Sequence, residues 1–235
     1  MAVESAAVRY RDAFATRSWY DLKDLFTFLY GGAVMKHEWK KQEKELYLPK
    51  AEPQIITVPK QKFFALKGKG NPNEADFAER VSVLYSLAYA VRMMPKSGFT
   101  PDGYFEHTVY PLEGVWEESD VADKSSYVYT IMIRQPSFVT DEVVAKALET
   151  TKKKKPHSFL SDAFFSEIDD GLSVQMMHVG DYDNEPLSFS AMEKFMDDNG
   201  LVRSTNTHRE IYLSDPGKTE RDKLNTVLRY SVNKV

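Results

Sequence analysis

One order of elements occurs twice along this chain, and it restricts the possible folds more than any other feature: strand, glycine turn, helix, strand, strand. In the first copy, strand material at Ile55–Val58 and Phe63–Lys67 leads into the turn GKGNPN, a helix over Glu74–Met94, and the runs HTVYPLEG and YVYTIMI. In the second, VQMMHV leads into GDYDNEP, a helix over Ser188–Asn199, then HREIYLSDP and VLRYSV. The order predicts an α+β fold of duplicated β-α-β-β units with antiparallel sheets. Helices cover one face, and a ligand cleft runs along a pseudo-twofold axis on the other. The repeats span about 54–135 and about 172–235, joined by a helix over about 140–155. A loose overlay of TVYP on EIYL places Tyr110 opposite Tyr212.

Local patterns support each element. Phe77, Val81, Leu84, Tyr85, Ala88 and Val91 recur at the helical period, and Pro95 stops the helix. Tyr85 and Tyr89 lie four apart on one face, which suits core packing or a pocket rim. SSYVYTIMIRQP alternates Tyr127, Tyr129, Ile131 and Ile133 against Val128, Thr130, Met132 and Arg134, and either side suits burial. Pro111 marks its own strand as an edge or a bulge. Thr140 caps the connecting helix, and the lysines at 152–155 suit its C-terminal dipole. Phe189, Met192, Phe195 and Met196 form the stripe of the last helix, which Gly200 ends in the left-handed conformation.

Composition excludes several classes. At 42% hydrophobic and 28% charged residues, the 235-residue chain is globular rather than disordered. A net charge of −4 gives no support for nucleic acid held by bulk charge. No apolar run approaches the roughly 20 residues of a membrane span. Cysteine is absent, which excludes disulfides and thiolate metal sites and favours a reducing, cytoplasmic setting. GKGNPN fits neither phosphate-binding fingerprint, so no cofactor is expected. The five histidines show no metal-ligand spacing, and no metal is expected. No G-x-S-x-G elbow occurs.

Residues 1–34 stand apart. YDLKDLFTFLY suits a short amphipathic helix ended by Gly31 and Gly32, in an N-terminal extension whose role is either minor or one of docking. It is too short for a three-helix DNA reader and lacks a basic recognition helix. From Met35 onward, Trp39–Tyr47 reads as a polar helix or extended lead-in, and the domain proper runs over 35–235.

The candidate chemistry centres on HREIYL. Alternation puts His208, Glu210 and Tyr212 on one face of a strand and the apolar Ile211 and Leu213 on the other, toward a core. An acid between two rings suits a partly dry pocket, where its charge attracts a cationic or polarised ligand. The alternative for Glu210 is a structural pair with Arg209, Arg229 or a tyrosine hydroxyl. Glu185 in DNEP and Glu113 in PLEG read as turn acids, and Trp116 as either core or pocket wall.

The blocks WKKQEKELYLPK, GKGNPN, LYSLAYAVRMMP, YPLEGVW, MIRQP, HVGDYDNEP and EIYLSDP, in that order over about residues 36–232, resemble a long subfamily of gyrase-inhibitor-like (GyrI-like) small-molecule-binding proteins. That family's E-I-Y-L-type strand places an acid in the ligand cleft. The resemblance implies a binding protein for flat aromatic or cationic xenobiotics. It also implies, for part of the subfamily, metal-independent hydrolysis of the strained cyclopropane in cyclopropanoid DNA-alkylating agents, a detoxification. On that basis Glu210, Glu185 and Tyr129 are the candidate catalytic residues. Tyr85, Tyr110, Trp116, Met177, Tyr182, His208 and Tyr212 are the candidate ligand contacts.

Overall fold

The computed structural model describes residues 36–117, 123–154 and 157–235. The helix expected within 1–34 and the last of the lysines at 152–155 lie outside the described residues. Two one-turn helices come first, α1 (Trp39–Gln42) and α2 (Lys44–Tyr47). They are less polar in packing than in sequence, because Trp39 and Tyr47 are buried and the Trp39 indole N–H donates to the Val109 carbonyl at 3.0 Å. Strands β1 (Gln54–Val58) and β2 (Gln61–Lys69), helix α3 (Ala75–Arg92), and strands β3 (Leu112–Glu117) and β4 (Val128–Gln135) form the first unit. Helix α4 (Asp141–Lys154) connects the two units. The second comprises β5 (Phe164–Ile168), β6 (Gly171–Val179), α5 (Glu185–Asp198), β7 (Leu201–Arg203), β8 (Thr207–Tyr212) and β9 (Asn225–Lys234).

The strands form one continuous sheet in the order β1-β6-β9-β8-β3-β4-β2-β5, with β7 beside β9. Exchanging the two units turns that order into itself read backwards, so the pseudo-twofold axis passes between β3 and β8. Val58 pairs with Gly171 and Gln61 with Ile168. The β1–β6 and β2–β5 ladders are therefore one ladder, interrupted at Pro59-Lys60 and Asp169-Asp170. Since β1 and β2 lie toward opposite ends of the strand order and only two residues join them, the sheet must curl to bring its ends together. Pro111 immediately precedes β3, which is central rather than an edge: the missing N–H falls just before the ladder begins.

Register fixes which side chains share a face. Gly114 pairs with both Ile131 and Glu210, and Glu210 with Leu228, so these four share one face. Helices α3 and α5 pack on that face. Leu84, Leu87 and Val91 of α3 join Phe64, Leu66, Ile131 and Ile133 in one core. Met192 and Met196 of α5 join Val174, Met176, Leu228 and Tyr230 in another. Because α3 lies against both the sheet and α4, Val83 and Leu87 are buried along with the expected Leu84, Ala88 and Val91. Strand β4 is buried on both sides, with Met132 on the far face against Phe63 and Ala65.

That far face, where the cleft was expected, is filled. Glu113, Arg209 and Arg229 project into it and are almost fully buried. Arg209 donates to Glu113 Oε2 and to Asp170 Oδ1, each at 2.9 Å. Arg229 donates to Gln175 Oε1 at 2.8 Å and to the Leu46 carbonyl at 2.8 Å, tying α2 across the interior. Glu113 is thus not a solvated turn acid. Burial pushes its carboxyl above the ordinary range, although Arg209 and Arg229 oppose the shift. Arg209→Ala leaves Glu113 and Asp170 buried without their main partner, and is expected to cost about 3–5 kcal/mol in a urea titration. A loss below about 1 kcal/mol contradicts this role.

Candidate functional site

The helix-bearing face carries the acid-and-ring cluster. Glu210, on β8 beside the pseudo-twofold axis, is only 8% exposed. Tyr212 Oη donates to its Oε2 at 2.7 Å, and His208 Nε2 lies 2.9 Å from its Oε1. The Trp116 indole N–H donates to Tyr212 Oη at 2.9 Å, so a single chain of hydrogen bonds runs from β3 across to β8. The expected alternation of HREIYL holds: His208, Glu210 and Tyr212 converge, while Ile211 is buried in the core on the far side.

The strands approach closely here because of Gly114. It sits opposite Glu210, and a Cβ at this position would lie 2.7 Å from Trp116 Nε1 and 3.1 Å from Tyr212 Oη. Any side chain at 114 would displace one end of the Trp116–Tyr212 bond. Rings wall the cluster on both flanks. Phe77 of α3 stacks with Trp116, and Phe189 of α5 meets the His208 ring edge-on at 4.8 Å. Tyr182 meets Tyr212 edge-on at 6.2 Å.

Glu185 is the second acid. The helix starts earlier than the sequence pattern predicts: α5 begins at Glu185, with Pro186 in its first turn, where a proline's fixed φ suits helix initiation. Glu185 is therefore buried, at 7% exposure, rather than solvated in a turn. Its Oε1 is buried with no hydrogen-bond partner. Burial first, and then the charges of Glu210, Asp181 and Asp183, push its carboxyl up to about 10. The site thus sets one carboxyl held by two partners, Glu210, beside one that keeps its proton at neutral pH. Burial first, and then Glu210, Glu185 and Asp181, push the Tyr182 hydroxyl up to about 12, and burial and Glu210 raise that of Tyr212. Both phenols remain protonated donors.

The remaining predicted residues are placed as follows. Tyr129 lies behind the cluster, its ring 5.1 Å from both Trp116 and Phe77 and its hydroxyl bonded to Arg80, not to Glu210. Tyr85 is half-buried on α3, with its hydroxyl on the Leu112 backbone at the rim. Met177 projects from the opposite face of the sheet, because it pairs with Val227 and through it aligns with Ile211. Tyr110 does not oppose Tyr212, whose β3 partner is Leu112. It instead donates to Glu43 Oε1 at 2.7 Å, beneath the Arg134 guanidinium, and helps to fix α1 and α2. There burial lifts the Glu43 carboxyl, but Arg134, Tyr110 and His37 outweigh it and hold the group low.

Sequence reasoning missed Phe77, Phe189 and Gly114. A glycine inside a strand pattern is a signal of close approach and marks Gly114 in PLEG. No group of three or more His, Asp or Glu among the described residues is placed to hold a metal. Among the same residues, no helix is long and apolar enough to cross a membrane. A depression of about 550 Å³ lined by Lys67, Arg80, Asp162 and Phe164 includes none of Glu210's partners.

Glu185→Gln should raise stability at neutral pH. In the unfolded chain the carboxyl ionises near 4.5, whereas the folded site holds it protonated to about 10. Its contribution is full below 4.5 and is lost as pH rises toward 10, by at most about 1.4 kcal/mol per pH unit. The Tm advantage of the variant over the parent should therefore widen from pH 5 to pH 8. A constant gap contradicts a protonated Glu185.

The chain matches the GyrI-like small molecule binding domain family over residues 51–231. Two similar solved structures are hydrolases from Listeria innocua, 38% and 37% identical, with TM-scores of 0.79 and 0.80. They cover 84% and 85% of this chain and 100% of their own. An uncharacterized conserved protein from Listeria innocua is 40% identical, with a TM-score of 0.79, over 84% of this chain and 100% of its own. No curated protein matches the chain.

Proposed function

Because the chain belongs to the GyrI-like small-molecule-binding family, we propose that it takes flat aromatic compounds into the cleft between α3 and α5 and hydrolyses those bearing a strained cyclopropane. The observation that carries this reading is the pair of buried carboxyls, Glu210 and Glu185, in different hydrogen-bonding states within one ring-walled cluster. One carboxyl held by two partners and one with an unpaired oxygen supply a base and an acid together. The Listeria innocua relatives called hydrolases support the same direction.

In the proposed step, Trp116, Tyr182 and Tyr212 hold a cyclopropanoid dienone by its flat face. A water attacks the cyclopropyl carbon and gives its proton to Glu210. The cyclopropane C–C bond breaks, and its electron pair passes through the ring system to the carbonyl oxygen, which takes the proton of Glu185. The product is a ring-opened alcohol bearing a phenol. Return of the proton from Glu210 to Glu185 resets the site, so water is the sole co-reactant. Relief of ring strain drives the step, and the site contributes orientation and proton transfer. This division of labour accounts for a site without a metal-binding or nucleophile motif.

A second reading, capture without turnover, is favoured by one observation: both Glu210 oxygens already have partners, Tyr212 and His208. Incubation with a duocarmycin-type cyclopropanoid, followed by mass spectrometry, separates the two. A product heavier by one water is expected, and Glu210→Gln should slow its formation at least about 100-fold, the range of a lost general base. Recovery of intact compound from a tight complex rules out turnover. An unchanged rate in the variant removes Glu210 from the step.

A further inference from the structure

We propose that the cleft exchanges a proton for an aromatic cation: a cationic ligand among Tyr182, Tyr212 and Trp116 displaces the proton of Glu185, whereas an uncharged ligand of the same shape leaves it in place. The proposal rests on the cleft described above as the ligand site, and it concerns how that cleft distinguishes charge states.

Acids and phenols surround Glu185. From the loop and turn ahead of α5 come Asp181, Tyr182 and Asp183, and from β8 come Glu210 and Tyr212, with His208 bonded to Glu210. His178 of β6 shares the face of Tyr212, and its ring nitrogens are taken by Ser188 Oγ and the Asp181 carbonyl. The basic side chains nearby are already engaged at the periphery. Arg221 pairs with Asp181 at 3.2 Å, and Lys124 lies 4.0 Å from Asp183. None of the ion pairs among the described residues includes Glu185, and its Oε1 is buried without a partner. A buried carboxyl among other acids keeps its proton, because a second negative charge there would be neither solvated nor paired.

A bound cation reverses this balance. It supplies the positive charge that the surrounding residues withhold, and the phenol and indole faces stabilise it by cation–π attraction. Glu185 then ionises, and the released proton leaves with the exchange. Glu210 has its own partners, Tyr212 and His208. The free site with one proton and the complex with one cation therefore carry the same charge. A neutral ligand gains nothing from ionising Glu185.

The test uses N-methylphenanthridinium, a permanent flat cation, and its uncharged parent phenanthridine. Titration calorimetry runs from pH 6.5 to 8.5 in buffers of different ionisation heat. For the cation, the Kd should fall about tenfold per pH unit, with close to one proton released per molecule bound. For phenanthridine, the Kd should stay flat with no proton released. Glu185→Gln should bind the cation with no pH dependence. The buffer dependence of the parent protein gives the same answer without any variant. Cation binding that is independent of pH and releases no proton overturns the exchange while leaving the cleft reading intact. Failure of both probes to bind at any pH overturns the cleft reading and the exchange with it.

Discussion

The pairing of β3 with β8 is the contact on which the rest depends. It joins the two units, and the pseudo-twofold axis runs through it. It also separates two chemically different spaces. On one side of this pair Glu113 and Arg209 project into the curled interior, where charges are matched in ion pairs. On the other side Trp116, Glu210 and Tyr212 line up between the helices. A one-residue slip would exchange the two sets, placing Glu210 in the interior and Arg209 under the rings. Register here decides both stability and chemistry.

The two spaces deal with buried charge in opposite ways. The interior neutralises its acids with arginines, and Arg229 also ties α2 down through the Leu46 carbonyl. On the helix face neither Glu210 nor Glu185 pairs with a lysine or arginine among the described residues. Glu210 receives a phenol and an imidazole, and Glu185 receives no hydrogen bond at Oε1. Glu113 Oε1 in the interior also lacks a hydrogen-bond partner, but that carboxyl is paired with Arg209, whereas Glu185 is in no ion pair among the described residues. A buried acid without a cation, set beside a cluster of rings, is what makes Glu185 a candidate for chemistry.

Much of this was legible in the sequence. The duplicated element order gave the units and the helix layer, and the alternation of HREIYL placed His208, Glu210 and Tyr212 together. Either side of strand β4 read as suited to burial, and side chains of both sides are buried. What failed depended on long-range geometry. Which face carried the acid-and-ring cluster required the β3–β8 register, which no local pattern encodes. Met177 was placed with the site although its neighbour Met176 has the parity of that face, and only the β6–β9–β8 ladder reveals this. Tyr110 was misaligned: it precedes β3, and the β3 residue paired with Tyr212 is Leu112. Glu185 was taken for a turn residue because Pro186 reads locally as a breaker, whereas a proline in the first turn starts a helix.

The central claim is that Glu185 holds a proton at neutral pH beside Glu210. Carbon-13 NMR of the glutamate side-chain carboxyls, with Glu185 assigned by its loss in Glu185→Gln, measures this directly. The Glu185 resonance should keep the shift of a protonated carboxyl through pH 8. A Glu185 carboxyl that ionises near its ordinary 4.5 would contradict the account.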